Sequence, residues 1–130
     1  MPGDCAEAPA SEQALAHMLL ALPAVTDDYP FGPDTRAFRI EGRIFALVYR
    51  RHGELCINLK CDPGQAQQLR DVFDCVRPGY HMNKRHWNTV VLDGSLPHGE
   101  VLRQMQHAWQ CVVAKLPAAR RRLYQAMSLD

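Results

Sequence analysis

The chain has 130 residues, of which 47% are hydrophobic and 22% charged, and its formal net charge is +1. This length and composition are typical of one soluble globular domain, and they exclude both a disordered polyelectrolyte and a protein that binds polyanions through bulk positive charge. The longest apolar stretch, Met18–Val25, contains a proline and is too short to cross a bilayer.

The charge is unevenly distributed along the chain. Residues 1–41 carry seven acidic residues and two arginines, a net charge of −5, whereas residues 42–130 carry thirteen lysines and arginines against seven acids, a net charge of +6. Such an asymmetry permits a basic surface on a nearly neutral protein. Solvated charges on separate elements are an equally weighted alternative.

The cysteines and residues 1–10 indicate the cellular compartment in which we expect the protein. The five cysteines form no Cys-x-x-Cys pair, and residues 1–10 have neither the basic nor the apolar segment of a secretory signal. We therefore expect reduced thiols and a cytoplasmic protein that does not associate with membranes.

The first predicted element is a helix that begins after Ser11 and ends near Leu22. Serine is a favourable N-cap residue, apolar residues follow at helical spacing, and a proline ends the pattern. Residues 1–10 are expected to form a disordered tail, and the main domain is expected to span residues 11–116.

The next segment, residues 26–35, is rich in turn-forming residues. It contains paired aspartates, two prolines and a glycine, which predicts an ordered loop. We expect Tyr29 and Phe31 to be buried, because large aromatic side chains gain most from burial.

Three strands are predicted after this loop, over residues 38–41, 44–49 and 55–60, where apolar residues either alternate with polar ones or run continuously. Short connections make them an antiparallel meander. The two-residue period places Lys60 on the sheet face opposite the core.

The second half predicts a helix from Asp62 to Asp74, because aspartate followed by proline is typical of a helix start. A hairpin follows, in which Tyr80–Met82 pairs with Trp87–Leu92 across a turn at Asn83–His86.

A helix from Pro97 to Leu116 and a C-terminal helix over residues 117–130, packed on the domain, complete the chain. The order α-β-β-β-α-β-β-α, with this additional helix, predicts a two-layer α+β fold. An antiparallel sheet would carry the helices on one face, and its other face would remain open.

The hairpin lies in a basic segment, residues 77–94, that has no acid before Asp93. Its cations are interleaved with aromatic rings and histidines, a pattern that suits a polyanion such as nucleic acid. A solvated loop is the competing interpretation. Trp87 is either a core anchor or a platform on which a base stacks.

The sequence contains no recognisable catalytic or metal-binding constellation. The spacings of Cys56 with Cys61 and of His81 with His86 match no common zinc motif. Cys75 is better explained as a small buried hydrophobe than as a nucleophile paired with a histidine. We expect no enzyme activity, no metal and no cofactor.

Residues 78–81, Asn83-Lys84, His86-Trp87 and 92–94 resemble the characteristic run of the MmcQ/YjbR family, and residues 38–47 and 59–60 resemble its first strands. The resemblance implies an α+β domain of the secretion-chaperone-like class, also compared with a double-wing DNA-binding domain. It implies, by position, a set of DNA contacts to which Arg85 is added for its charge: Lys60, Arg77, His81, Asn83, Lys84, Arg85, His86 and Trp87.

The leading hypothesis is thus a small DNA-binding protein that tolerates many sequences and uses a basic sheet face and hairpin. A homodimeric, chaperone-like module that holds a protein partner is one alternative. A protein that binds a small ligand near Trp87 and His81 is another.

Overall fold

The computed structural model describes residues 11–127. Within them, six strands form one sheet in the order β1-β2-β3-β4-β6-β5, in which each neighbouring pair is antiparallel. The strands are β1 (Val25–Asp28), β2 (Thr35–Ile40), β3 (Arg43–Arg51), β4 (Glu54–Lys60), β5 (Val76–Pro78) and β6 (Trp87–Val91). The helices are α1 (Glu12–Leu20), α2 (Pro63–Val72), α3 (His98–Val113) and α4 (Ala118–Met127). The predicted α+β class is confirmed.

The core lies between the sheet and α3, the longest helix. Met105 and Trp109 are almost completely buried, and the Trp109 indole N–H donates to the carbonyl oxygen of Pro23 at 2.9 Å. Helix α2 lies on the same side, since its Leu69 and the α3 residue Gln104 line one cleft over Leu59 of β4. Val72, at the end of α2, is 69% exposed.

The predicted loop at residues 26–35 contains an additional strand, β1, which pairs with β2. Its aspartates, which indicated a turn, form diagonal ion pairs with arginines of the next strand: Arg36 contacts Asp27 at 2.7 Å and Arg39 contacts Asp28 at 2.9 Å. Cross-strand pairs of opposite charge stabilise a sheet that local propensity disfavours.

The aromatic side chains that follow β1 are not buried as expected. Tyr29 is 51% exposed and Phe31 is 65% exposed.

The hairpin differs from its prediction in position. The strand that pairs with β6 is Val76–Pro78, not Tyr80–Met82. Proline cannot donate a ladder hydrogen bond and is tolerated at an edge, so pairing ends there and the chain leaves the sheet plane at Gly79. Residues 79–86, which we call the cover segment, form turns instead of a strand.

The C-terminal helix packs on the domain through Tyr124, which is buried and meets Trp109 edge-on, with 6.3 Å between ring centroids. The predicted tail at residues 1–10 and the last residues, 128–130, lie outside the described part of the chain. Between residues 11 and 127, no helix is both long enough and apolar enough to traverse a membrane.

Candidate functional site

A closed set of hydrogen bonds holds the cover segment against the sheet. The hydroxyls of Tyr49 and Thr89 both donate to the Asn58 side-chain oxygen at 2.7 Å. The Asn58 amide donates to the carbonyl oxygen of Tyr80 at 3.1 Å, and the Tyr80 N–H donates to the Thr89 hydroxyl at 2.8 Å. Asn58 and Thr89 are opposite each other in the β4–β6 register, so the sheet itself brings these polar groups together.

This arrangement covers part of the second sheet face, which the sequence suggested could remain open. Leu47, Tyr49 and Asn58 project from paired positions and are only 5%, 7% and 2% exposed. They are buried because the cover segment lies over part of this face.

Two neighbouring side chains contact the Tyr80 ring. The Arg51 guanidinium lies 4.0 Å from its centroid, and the His81 ring centroid lies 3.9 Å away. His81 has φ of +60°, a left-handed conformation that is uncommon outside glycine. The aromatic side chains of the cover segment are therefore presented in a defined geometry.

One cavity beside Tyr80, which we call the basic groove, has a volume of about 360 Å³. Four basic side chains from separate parts of the chain line it: Arg51 from the end of β3, His52 from the β3–β4 turn, Arg77 from β5, and Lys84 from the cover segment. Glu54 is the acidic residue among the lining side chains. The Lys84 ammonium donates to the carbonyl oxygen of Gly79 at 2.9 Å.

No carboxylate among the described residues forms a close ion pair with Arg51, Arg77 or Lys84, although Glu54 is paired with Arg51 in the sheet register and Asp93 interacts with Arg77 at longer range. In the part of the chain that the structure describes, ion pairs occupy Arg36, Arg39, Arg50, Arg103 and Arg120. None of them involves Arg51, Arg77 or Lys84. Positive charge is thus available to a ligand in this groove.

A second cavity, which we call the apolar pocket, lies on the other side of Tyr80 and has a volume of about 270 Å³. Its lining is mostly apolar and aromatic, with a few polar groups. The lining residues are Phe31, Thr35, Leu47, Tyr49, Asn58, Tyr80, His81 and Met82. Burial raises the pKa of Tyr49 to about 12, so its hydroxyl keeps its proton and remains a donor to Asn58.

The structure brings together only some of the residues that the sequence predicted as nucleic-acid contacts. Arg77 and Lys84 line the basic groove, whereas His81 lines the apolar pocket. Lys60 lies at the end of β4, where its ammonium is 5.7 Å from the Trp87 ring centroid. Trp87 is only 6% exposed, so its ring offers little surface on which a base could stack.

The remaining predicted residues shape the turn. The Asn83 side chain accepts the backbone N–H of Arg85 at 2.9 Å, which leaves the Arg85 side chain exposed. The backbone oxygen of His86 accepts the N–H of Cys61 at 2.8 Å and so attaches the end of the cover segment to β4.

The sequence did not indicate Arg51, Tyr49 or Asn58 as site residues, and it predicted Phe31 only as a buried ring. In the sequence, Arg51 falls in the polar run Arg50–Gly53, which is typical of a hairpin loop, although the structure places it at the end of β3. Only the pairing of β4 with β6 and of β6 with β5 carries Arg77 to the same groove. The signal that could have found Asn58 is a polar residue inside an otherwise apolar strand.

A cysteine–histidine cluster exists, but it is not poised for nucleophilic chemistry. The Cys111 sulfur lies 3.4 Å from Nε2 of His107, which already accepts the backbone N–H of Asp62 at 3.2 Å. Burial raises the pKa of Cys111 and raises that of Cys61 to about 11, so both remain thiols. Among residues 11–127, no group of three or more Cys, His, Asp and Glu side chains is arranged to hold a metal ion.

Comparison with known proteins places the chain among relatives of unassigned activity. A family model described as YjbR matches residues 20–111. The uncharacterized protein YbdF of Escherichia coli is 35% identical over 96 residues, which cover 74% of this chain and 79% of YbdF. The uncharacterized protein YjbR of Escherichia coli is 38% identical over 85 residues, or 65% of this chain and 72% of that protein.

Solved structures show the same fold. The crystal structure of a Deinococcus radiodurans protein with a DUF419 domain superposes with a TM-score of 0.81 and 29% identity, and the match covers 89% of this chain and 88% of that one. A Pseudomonas syringae protein superposes with a TM-score of 0.69 and 26% identity, over 78% of this chain and 97% of that one.

Proposed function

We propose that this chain, which belongs to the YjbR family, binds nucleic acid through its basic groove. The observation that carries the proposal is the convergence of Arg51, Arg77 and Lys84 on one groove, where none of them forms a close ion pair with a carboxylate of the described residues. Arginine and lysine side chains that are free of carboxylates bind phosphate oxygens.

The groove also explains how a nearly neutral protein could bind a polyanion. The net charge of +1 supplies no long-range attraction. Local cations can still displace counterions from phosphates one by one, which is the main source of sequence-independent affinity.

The groove has aromatic as well as cationic character. Arg51 stacks on Tyr80, and the His81 ring lies beside it. Rings next to cations are the combination that sequence-tolerant nucleic-acid sites use for bases and phosphates.

This geometry sets the strength of binding that we expect. With about three phosphate contacts, the logarithm of the binding constant should fall with the logarithm of salt concentration at a slope of about −2 for single strands or −3 for duplex. The affinity at physiological salt should be micromolar, as is common for non-specific binding.

The test is a matched pair of double variants that lose equal charge. Arg77→Ala with Lys84→Ala removes two groove cations, whereas Lys115→Ala with Arg122→Ala removes two exposed cations on α3–α4. Fluorescence anisotropy with labelled oligonucleotides at several salt concentrations measures both. We expect the groove variant to bind about tenfold or more weakly, with a salt slope that is shallower by about 1.5 to 2, and the control to bind like the wild type.

Two outcomes would refute the proposal. One is a wild-type protein that does not bind single- or double-stranded oligonucleotides even at low salt. The other is equal weakening in the groove and control variants, since that would assign binding to overall charge.

A further inference from the structure

The apolar pocket and the basic groove share a wall, the side chain of Tyr80. We propose that the apolar pocket receives one unstacked base of a single-stranded nucleic acid whose phosphates lie in the basic groove. This inference rests on the proposed function and specifies its substrate class.

The dimensions of the pocket match one ring system. Its volume of about 270 Å³ lies just below the range of about 300–1,000 Å³ that is usual for drug-sized ligands. It is therefore too small for a folded chain segment but suitable for one flat group.

The lining has the chemistry that holds a base by stacking and apolar contact. Phe31 and Tyr49 supply rings, and Leu47 and Met82 supply flexible or branched apolar contacts. Bases have π faces whatever their identity, so such a lining binds them without strong sequence preference.

Four polar side chains line the pocket, and two of them, Tyr49 and Asn58, are hydrogen-bonded within the protein. The Tyr49 hydroxyl donates to Asn58, and the Asn58 oxygen already accepts two hydrogen bonds. Thr35 and His81 are the other two polar lining residues, so we expect at most a weak preference among bases.

Phe31 is a pocket-lining ring that folding leaves largely exposed. It is 65% exposed, although it is a large apolar side chain, and it lies at the edge of the pocket. A base stacked in the pocket would cover part of this ring. Removing that apolar surface from water would favour binding.

The location of the pocket favours single strands over duplex. Bases in a duplex are paired and stacked, and they enter a protein pocket only after extrusion from the helix. An unpaired strand can place a base beside Tyr80 while its flanking phosphates contact Arg51, Arg77 and Lys84.

The chain offers a matched pair of variants for the test. Phe31→Ala removes a ring that lines the pocket, whereas Tyr29→Ala removes an exposed ring of the same loop that does not line it. Both side chains are more than half exposed, so we expect both variants to fold. A third variant, Thr35→Trp, fills the pocket from its half-buried edge on β2.

The probes are a thymidine oligomer of about ten nucleotides, an abasic oligomer with the same number of phosphates, and a duplex of equal length. We expect Phe31→Ala and Thr35→Trp to weaken binding of the thymidine oligomer about tenfold. The same variants should leave abasic and duplex binding unchanged, and Tyr29→Ala should behave like the wild type with all probes.

Different results separate this inference from the proposed function. If all three probes bind and lose affinity only when Arg77 and Lys84 are replaced, the groove is a nucleic-acid site and the pocket inference is wrong. If thymidine monophosphate binds as tightly as the oligomer and competes with it, the ligand is a free nucleotide and the single-strand inference is also wrong. If no probe binds the wild type, the proposed function itself fails.

Discussion

At the scale of single residues, Asn58 determines how the site is built. Its side chain joins the Tyr49 hydroxyl, the Thr89 hydroxyl and the Tyr80 backbone, and it is 2% exposed. A buried amide is costly unless it is hydrogen-bonded, and here its oxygen and its NH₂ group both have partners. The same bonds fix the position of the Tyr80 wall between groove and pocket.

The first stability prediction compares two changes in this set of bonds. Asn58→Ala leaves both hydroxyls and a buried carbonyl without this partner, and we expect it to lower the free energy of unfolding by about 2–4 kcal/mol. Tyr49→Phe removes only one donor to an oxygen that still accepts from Thr89, and we expect a loss of about 1 kcal/mol. Urea unfolding measures both, and equal losses would contradict the central role of Asn58.

At the scale of elements, the hairpin of β5 and β6 depends on the close approach of Gly79 to Trp87. The Gly79 N–H donates to the Trp87 carbonyl oxygen at 3.0 Å. A Cβ atom at position 79 would lie 2.7 Å from the Trp87 Cβ and 2.9 Å from its carbonyl oxygen. Only glycine fits where the chain leaves the sheet to become the cover segment.

The corresponding prediction uses another glycine as its control. Gly79→Ala must displace backbone atoms of β6, and we expect it to destabilise the protein by about 1–3 kcal/mol. Gly99→Ala, in the first turn of α3, meets no atom within 4 Å and should stabilise by about 0.4–1 kcal/mol through the unfolded chain. Thermal unfolding of both variants measures whether their stability changes have opposite signs. A Gly79→Ala variant as stable as the wild type would contradict the importance of the close approach.

At the scale of the whole molecule, Glu41 connects distant parts of the chain. It lies in the turn between β2 and β3, with φ of +49°, and accepts the Tyr124 hydroxyl of α4 at 2.7 Å. Arg120 of α4 contacts the same carboxylate. These contacts, chiefly the hydrogen bond from Tyr124, lower the pKa of Glu41 below its usual value of 4.5.

This lowered pKa predicts a pH dependence of stability. The folded protein holds the Glu41 proton less tightly than the unfolded chain does, so the contribution of Glu41 is present above pH 4.5 and is lost as pH falls through the folded pKa. Glu41→Gln does not titrate. We expect its melting temperature to lie below that of the wild type at neutral pH and to approach it near about pH 3. If the difference in melting temperature between the two proteins stayed constant from neutral pH to about pH 3, the predicted lowering of the Glu41 pKa would be contradicted.

Much of the fold could be predicted from sequence. The α2 start is an example: the Asp62 side chain accepts the N–H groups of Gly64 and Gln65, as its residue type indicates. Strands β3 and β4 are further examples, since their apolar content is a local property. The extra strand β1 was missed because its aspartates are compensated by Arg36 and Arg39, which lie about ten residues away.

The candidate site was predictable only in part. The basic character of Arg77 and Lys84 is visible in the chain, and both line the groove. The predicted roles of Lys60 and Trp87 depended on an open sheet face. The tertiary structure instead places these two side chains against each other and buries the tryptophan.

The sequence by itself determined the α+β class, the order of most elements and the resemblance to a family, because these follow from residue periodicity and short motifs. Only the tertiary structure decided that Arg51 meets Arg77 and Lys84, and that the apolar pocket adjoins them. The physical reason is that strand register and buried side-chain hydrogen bonds act between residues that are far apart in the chain. Local patterns of hydrophobicity and charge carry no information about such pairings.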